Sequence, residues 1–457
     1  MDEARRRRTT VWAGAVVALA GCGLSAPPRT GGAVVVESVA RDAGAARPAP
    51  PVADAGPAAD APYAGPAVKA IGVGEHVSCA LLESGDVRCW GATRLATPAT
   101  ATPVPVGIDD GAALAVGLLH VCVARRDGSV WCWGDNRDGQ LGDGTTESRG
   151  APARVPDVGG IVELVAGGHQ TCARDLAGAV WCWGEAYMVG HAGSALAARR
   201  PGRVAGVDHA TRLVAGDDIT CAFVAGGPPR CWGFNTTGLL GRAPGPLRHA
   251  VPSPPLARAV TLAIGFRQAC LTQADGLVYC GGDDPFGQLG DQDVPDDAQC
   301  DPYDRRGVVC RWTDHPPPDD DDRRCLRCPT RPDEVPPPPP PATHERVFAA
   351  RNGFVLAGGV QATALAAGHG RTCALTPAGA VTCWGQWYYG RDWAYHRPHV
   401  IAGTDGAIAL AVAEEHACAL LADHAVRCWG YTRSGELGAG VTTHELTLFA
   451  AAATVRF

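Results

Sequence analysis

The sequence predicts an all-β protein, a seven-bladed β-propeller of about four strands per blade. Three observations predict it. Two cysteines ten residues apart occur seven times: Cys79 with Cys89, Cys122 with Cys132, Cys172 with Cys182, Cys221 with Cys231, Cys270 with Cys280, Cys373 with Cys383, and Cys418 with Cys428. A common frame surrounds each pair: a small residue five before the first Cys, Gly six after it except at His424, Val eight after it except at Pro229, and Trp-Gly directly after the second Cys, with Gly281 once replacing Trp. First cysteines follow one another at steps of 43, 50, 49, 49, 103 and 45 residues. About that many residues make four short strands and their turns, which is one blade.

The N-terminus comes first in chain order. Arg5 to Arg8 form a basic region, Val11 to Ala20 are ten apolar residues, and Leu19-Ala20-Gly21-Cys22 closes the segment. Ten residues cannot span about 30 Å of hydrocarbon, so this is no permanent transmembrane helix. The ending resembles a bacterial lipoprotein signal. That resemblance implies a signal peptide over residues 1–21, cleavage before Cys22 and diacylglycerol on its sulfur. Gly23, rather than Asp, resembles sorting to an outer membrane or cell surface, an extracytoplasmic place in the cell envelope. Each acyl chain adds about 0.8 kcal/mol per buried CH₂, so several chains anchor stably. Residues 22–66 are dominated by Ala, Pro and Gly, bury too little to fold, and read as a disordered tether.

Residues 67–457 are expected to form the propeller. Within each copy an apolar run such as Ile161-Val162-Glu163-Leu164-Val165-Ala166 reads as the first strand. The two cysteine-bearing strands flank a Gly-centred turn such as Asp127-Gly128, a hairpin signal. Each first and second Cys stand equally far from that turn and should face each other across it. The chain's end, Leu446 to Phe449 and Thr454 to Phe457, is expected to pair with strands of the first repeat and so close the ring.

The stretch Trp133-Gly134-Asp135-Asn136-Arg137-Asp138-Gly139-Gln140-Leu141-Gly142 resembles the hallmark of the regulator of chromosome condensation repeat family. Gly238-Leu239-Leu240-Gly241, Gly287-Gln288-Leu289-Gly290 and Gly435-Glu436-Leu437-Gly438 echo it. The resemblance implies the propeller fold across the repeat region, as an exported bacterial lipoprotein member. Function does not follow from it, because one fold hosts many functions. Founding members exchange guanine nucleotides on a small GTPase and sit on chromatin; other relatives bind proteins.

The 103-residue step holds an insertion at about residues 291–345, expected between blades five and six. Residues 291–334 carry thirteen acidic and seven basic side chains, and Asp319 to Asp322 and Pro336 to Pro341 are runs. Cys300 and Cys310 repeat the ten-residue spacing, but Cys300 follows Cys270 by only 30 residues and no apolar strand precedes it, so a tied loop is expected rather than an eighth blade. Cys325-x-x-Cys328 with the other two reads either as two disulfides or as a zinc site, and export favours disulfides. The Asp run lacks the spaced ligands of a calcium loop.

Cysteine count agrees with export. There are nineteen. Setting Cys22 aside for lipid leaves eighteen, which can all pair in an oxidising compartment. Reduced cysteines packed as small hydrophobes are the alternative. Histidines precede five first cysteines at unequal offsets: His76 and His169 by three, His120 and His416 by two, His369 by four. Unequal offsets favour hydrogen bonding at the start of the strand over a metal or catalytic ring. No catalytic motif appears, so no catalytic residue, metal or cofactor is assigned. Asp217-Asp218 and Glu414-Glu415 are paired carboxylates that stand in the same turns.

The net charge of −7 becomes −9 once residues 1–21, at +2, are removed. That balance repels phosphate backbones, so no nucleic-acid partner is expected. Guanine-nucleotide exchange, suggested only by the family, conflicts with charge and export. The reading is a lipid-anchored, monomeric propeller without catalysis of its own that binds a protein or another cell-envelope component. The aromatics Trp387, Tyr388, Tyr389 and Trp393 with the acidic insertion are the expected binding face. The alternatives are a polysaccharide-active enzyme using the central channel, which carboxylates at one channel mouth would favour, and an inhibitor of a secreted enzyme.

Overall fold

The computed structural model describes residues 63–92, 99–191, 194–283, 288–290, 351–386, 394–432, 435–440 and 447–457. The signal segment, the tether, Cys22 and the insertion with Cys300, Cys310, Cys325 and Cys328 lie outside them. The described residues build seven antiparallel sheets of four strands, each in up-and-down order. Blade one comprises Val68–Val73, Val77–Leu82, Val87–Gly91 and Thr100–Pro105. Blades two to seven begin at Gly111, Ile161, Ala210, Thr261, Ala364 and Ala407. The first strand of every blade packs on the first strand of the next, and the last on blade one, so seven innermost strands wall a central channel. Among the described residues, helix is confined to Ala195–Ala198, capped by the Ser194 hydroxyl, and a 3₁₀ turn at Pro254–Leu256.

Each cysteine pair stands in register across its hairpin. Cys79 faces Cys89 in blade one, Cys122 faces Cys132 in blade two, and Cys172 faces Cys182 in blade three. Cys221 faces Cys231 in blade four and Cys270 faces Cys280 in blade five. Cys373 faces Cys383 in blade six, and Cys418 faces Cys428 in blade seven. All seven pairs are at bonding distance, with Cα atoms 4.1–4.2 Å apart and sulfurs 2.03–2.13 Å apart. Such separations belong to facing residues that share no backbone hydrogen bond, the closest cross-strand position in an antiparallel pair. A bridge there closes a short loop, contributing about 2–3 kcal/mol by chain entropy.

Two glycines of the frame have steric causes. The Gly after Trp takes a positive φ, +90° at Gly91 and +125° at Gly184. A Cβ there would stand 2.2 Å from the His76 carbonyl oxygen and 2.3 Å from that of His169. The small residue five before the first Cys touches the neighbouring blade: a Cβ on Gly167 would lie 2.2 Å from the Gly216 carbonyl oxygen. Main-chain bonds run between blades at that level, from Glu75 N to Leu118 O (2.8 Å), Leu118 N to Gly167 O (3.1 Å) and Gly168 N to Asp217 O (3.0 Å).

The core is divided into seven apolar clusters, one at each seam between blades. Six contain the Trp that follows the second Cys. In three of them the indole caps the seam by bonding the preceding blade's loop. Trp183 Nε1 donates to Gln140 O (2.9 Å), Trp384 Nε1 to Gln288 O (2.9 Å) and Trp90 Nε1 to Glu436 O (2.7 Å). Those acceptors sit in the Gly-x-Leu-Gly segments, so the repeat hallmark is a clasp. Blade five has Gly281 instead of Trp, and there Ser253 Oγ donates to Leu240 O (3.2 Å) in its place.

Two expectations are corrected. The insertion does not join blades five and six. It falls between the third strand of blade five, Leu277–Gly282, and its fourth, Arg351–Gln361, which pair. Cysteine steps locate hairpins but carry no information on the outermost strand. The C-terminus does not add a strand to blade one either: Thr447–Thr454 pairs with Val426–Thr432 inside blade seven. Four consecutive strands already complete that blade. Closure is made by side chains, with Val455 buried among Val68, Ala80 and Trp90 and the Phe457 ring edge-on to Trp90 at 6.0 Å.

Candidate functional site at the channel mouth

The turns between first and second strands meet at one mouth of the channel. They bring Glu75, Asp217, Asp218, Glu414 and Glu415 together with His76, His169, Arg267 and His369. The residue after the invariant Gly adds Glu185 and Asp283, because its N–H bonds the carbonyl of the same turn, as Glu185 does to His169 (3.0 Å) and Asp283 to Arg267 (3.0 Å). Loop residues Asp138 and Glu436 complete the ring.

Contacts among these groups are short but uneven. His169 Nδ1 lies 3.0 Å from Asp138 Oδ2, and Arg267 Nε 2.8 Å from Asp283 Oδ2. His76 Nε2 is 3.3 Å from Glu75 Oε1, while its Nδ1 is 3.9 Å from both Glu415 Oε2 and Glu436 Oε1. His369 Nδ1 is 3.8 Å from Glu414 Oε1, and its ring stacks on Phe266 at 4.5 Å. Arg267 takes φ of +65°, a conformation that costs a non-glycine residue roughly 1 kcal/mol or more.

Carboxylates outnumber cations, and the mouth responds by holding protons. Burial, then the charges of Asp218 and Glu414, push the Asp217 carboxyl up to about 7. Burial also raises Asp218, Glu185, Glu415 and Asp283. The hydrogen bond to Glu75 raises the His76 imidazole, whereas burial lowers His369. Chemically the mouth can attract and hold a cationic group, and Asp217 can donate a proton near neutral pH. Among the described residues no three His, Cys, Asp or Glu side chains are placed to hold a metal ion.

The paired carboxylates singled out from the sequence therefore come together, though from blades four and seven. The five histidines divide in two. His76, His169 and His369 belong to the mouth, while His120 and His416 are fully buried in seams. The blade cysteines take no part in the mouth: Cys89, Cys132, Cys182, Cys231, Cys280, Cys383 and Cys428 are buried in the blades beside their partners. Asp138, Glu185, Asp283, Arg267 and Glu436 were not singled out from the sequence. A usable signal existed for two of them, since the position after the invariant Gly is acidic in three copies, Asp135, Glu185 and Asp283. Trp387, Tyr388, Tyr389 and Trp393 lie outside the described residues.

A closed ring of seven disulfide-tied, four-stranded blades defines a repeat-built propeller. Residues 127–174, and separately 112–140, match the Regulator of chromosome condensation (RCC1) repeat. The chain is thus a seven-bladed β-propeller that carries RCC1 repeat matches within residues 112–174. A 43-residue stretch is 51% identical to the E3 ubiquitin-protein ligase HERC2 of Homo sapiens and of Mus musculus, 9% of this chain and 1% of those proteins. The structure is similar to that of Prp20p from Saccharomyces cerevisiae, described with its binding to Gsp1p and histones: 17% identity, 81% of this chain, 86% of that chain, TM-score 0.59. Human WBSCR16 is similar at 16% identity, covering 79% of this chain and 85% of that one, with a TM-score of 0.58. Identities this low establish the shared fold.

Proposed function

We propose that the chain is a protein-binding propeller, held outside the cytoplasm by lipid on Cys22, that receives a basic surface of its partner at the acidic channel mouth. The observation that carries the reading is the crowding of carboxylates around that mouth, on turns locked to one another by main-chain hydrogen bonds. A rigid face loses little conformational freedom on binding, and complementary charge steers the encounter. The acidic insertion in blade five adds to the same sign of charge. The fold-mate Prp20p binds Gsp1p and histones, which supports protein binding as a use of this fold and names no partner here.

Cross-linking and capture from native membranes is the test. Wild type is compared with a double variant, Asp218→Asn with Glu414→Gln, and with a variant whose residues 293–343 are replaced by a Gly-Ser link. Capture that weakens in the first variant supports the mouth as the binding face. Unchanged capture in both refutes the reading. Loss of membrane association in Cys22→Ser tests the anchor. A second reading, a polysaccharide-active enzyme, is favoured by the same carboxylates at one channel mouth and by the proton that Asp217 holds near neutral pH beside Asp218 and Glu414. Release of soluble sugars from envelope polysaccharide, abolished by Asp217→Asn, would replace binding with catalysis.

A further inference from the structure

Each seam carries one recurrent contact besides the indole clasp. The residue two before the first Cys in one blade reaches across the seam to the next blade. Where that residue is Val77 or Ile219, the partner across the seam is apolar, Val121 or Ala269. Where it is Gln170 or Gln268, its Nε2 donates to backbone carbonyls of the next blade, Gly216 O (3.2 Å) in one case and Gly368 O (3.3 Å) and Arg371 O (3.1 Å) in the other. Two seams use an imidazole. His416 Nε2 lies 2.6 Å from Ser78 Oγ between blades seven and one, and His120 Nε2 lies 2.8 Å from Thr171 Oγ1 between blades two and three.

The hydroxyls fix the tautomer. Ser78 Oγ donates to Glu436 O (3.0 Å) and Thr171 Oγ1 to Gln140 O (3.0 Å), the carbonyls that also accept from Trp90 and Trp183. A hydroxyl has one proton, so each must accept from the imidazole, and both imidazoles are Nε2–H. Their Nδ1 atoms are left bare, and both are buried without a hydrogen-bond partner. Both histidines are 0% exposed. A proton taken up at Nδ1 would place a charge and an N–H donor where nothing accepts it, which is costly in a dry seam.

We propose that the seams between blades seven and one and between blades two and three are acid-operated latches, which loosen before the other five when His416 and His120 take up a proton, freeing the two-blade arc of blades one and two from the rest of the ring. The charged neighbour of His120 opposes protonation, and those of His416 act in both directions. His120 faces the His169 imidazole; His416 faces Glu436, which favours its charge, and Arg371 and His76, which do not. Burial dominates both, lowering His120 to about 3 and His416 to about 4. An imidazole depressed in the folded state and ordinary, near 6.5, once the seam opens gives stability that is present above 6.5 and lost as pH falls. Each latch therefore weakens about tenfold per pH unit from 6.5 down to 4, and below 4 only the seam at His120 continues to weaken. Mouth carboxylates held protonated run the opposite way, so global stability hides the effect and a seam-resolved measurement is needed.

The test is hydrogen exchange of the full chain between pH 6.5 and 4, corrected for intrinsic rates, read at the strands beside each seam and at the Trp90 and Trp183 indoles. It compares wild type with the double variant His120→Gln, His416→Gln. Glutamine donates to the same hydroxyl, as it does to neighbouring carbonyls at Gln170 and Gln268, and does not titrate. Protection at the two latch seams should fall about tenfold per pH unit in wild type relative to the variant. The seams held by Gln170 and Gln268 should show no difference. Equal loss at all seams, or identical behaviour of the two proteins, overturns the proposal. Should the variant fail to fold, the wild-type imidazoles decide by NMR titration: buried rings still neutral at pH 5 support it, and titration near 6.5 refutes it.

Discussion

Adding one methyl group to Gly142 tests the clasp that joins neighbouring blades. Gly142 has φ of +73°, and a Cβ there would lie 2.8 Å from Trp183 Cδ1 and Nε1 and 2.9 Å from Val155 Cγ1. Ordinary contact begins near 3.4 Å, so the indole must retreat by about 0.6 Å. Trp183 has no room to do so: it is 0% exposed and its Nε1 is bound to Gln140 O at 2.9 Å. Overpacking of this kind costs about 1–3 kcal/mol, and the left-handed backbone adds about 1–2 kcal/mol for any residue with a Cβ. Gly160 isolates the backbone part, because its φ is +67° and nothing lies within 4 Å of its Cβ position. Gly142→Ala should therefore lower stability by about 2–5 kcal/mol and Gly160→Ala by about 1–2 kcal/mol. Guanidinium unfolding of the oxidised protein, followed by tryptophan emission, measures both. If Gly142→Ala falls within about 0.5 kcal/mol of Gly160→Ala, the loop does not clasp the indole and the account of the repeat hallmark fails.

Three other outcomes follow from the same geometry. Asp217→Asn should flatten the pH dependence of melting between pH 4 and 7: a carboxyl raised to about 7 contributes stability below its unfolded value that is lost as pH rises, on the order of 1–2 kcal/mol after screening at an open mouth. A steeper profile in the variant would contradict this. Removal of Val455 to Phe457 strips the apolar cover from Trp90 and should cost about 2–4 kcal/mol, read as a lower melting temperature with a red shift in emission. Unreduced, unfolded protein recovered by native export should yield no alkylatable thiols at the fourteen blade cysteines, and intact mass should rise by two hydrogens per bridge on reduction; several free thiols would show that the pairs are merely packed.

The hairpin at the centre of each blade was legible because its determinants are local. The ten-residue spacing, the turn glycine and the Trp-Gly after the second Cys all act within one repeat. What joins repeats was not legible. Trp183 and Gln140 are 43 residues apart, and the rule matching His120 with Thr171 but Val77 with Val121 appears only once blades are known to be neighbours. Outermost strands were equally silent, because nothing fixes their length. That strand is two residues long in blade three and eleven in blade five, so the insertion was assigned to the wrong side of it. Of the mouth, Asp217-Asp218 and Glu414-Glu415 could be read as pairs, whereas Asp138 and Glu436 arrive from loops that the sequence spaces far from those turns.

Seam and mouth are built from the same turn, and that coupling determines what the site can do. In blade seven His416 is buried in the seam while Glu415 and Glu414, one and two residues earlier, face other charged groups at the channel. The turn has no freedom to relax its charges apart, because its flanks are held by the disulfide hairpin on one side and the innermost strand on the other. Burial first, and like charges that cannot separate second, make Asp217 hold its proton up to about 7. A cationic group entering the mouth would displace that proton and needs no rearrangement of the backbone to do so. Binding at this mouth should accordingly release protons, and the seams that hold the turns in place set how firmly the charges are presented.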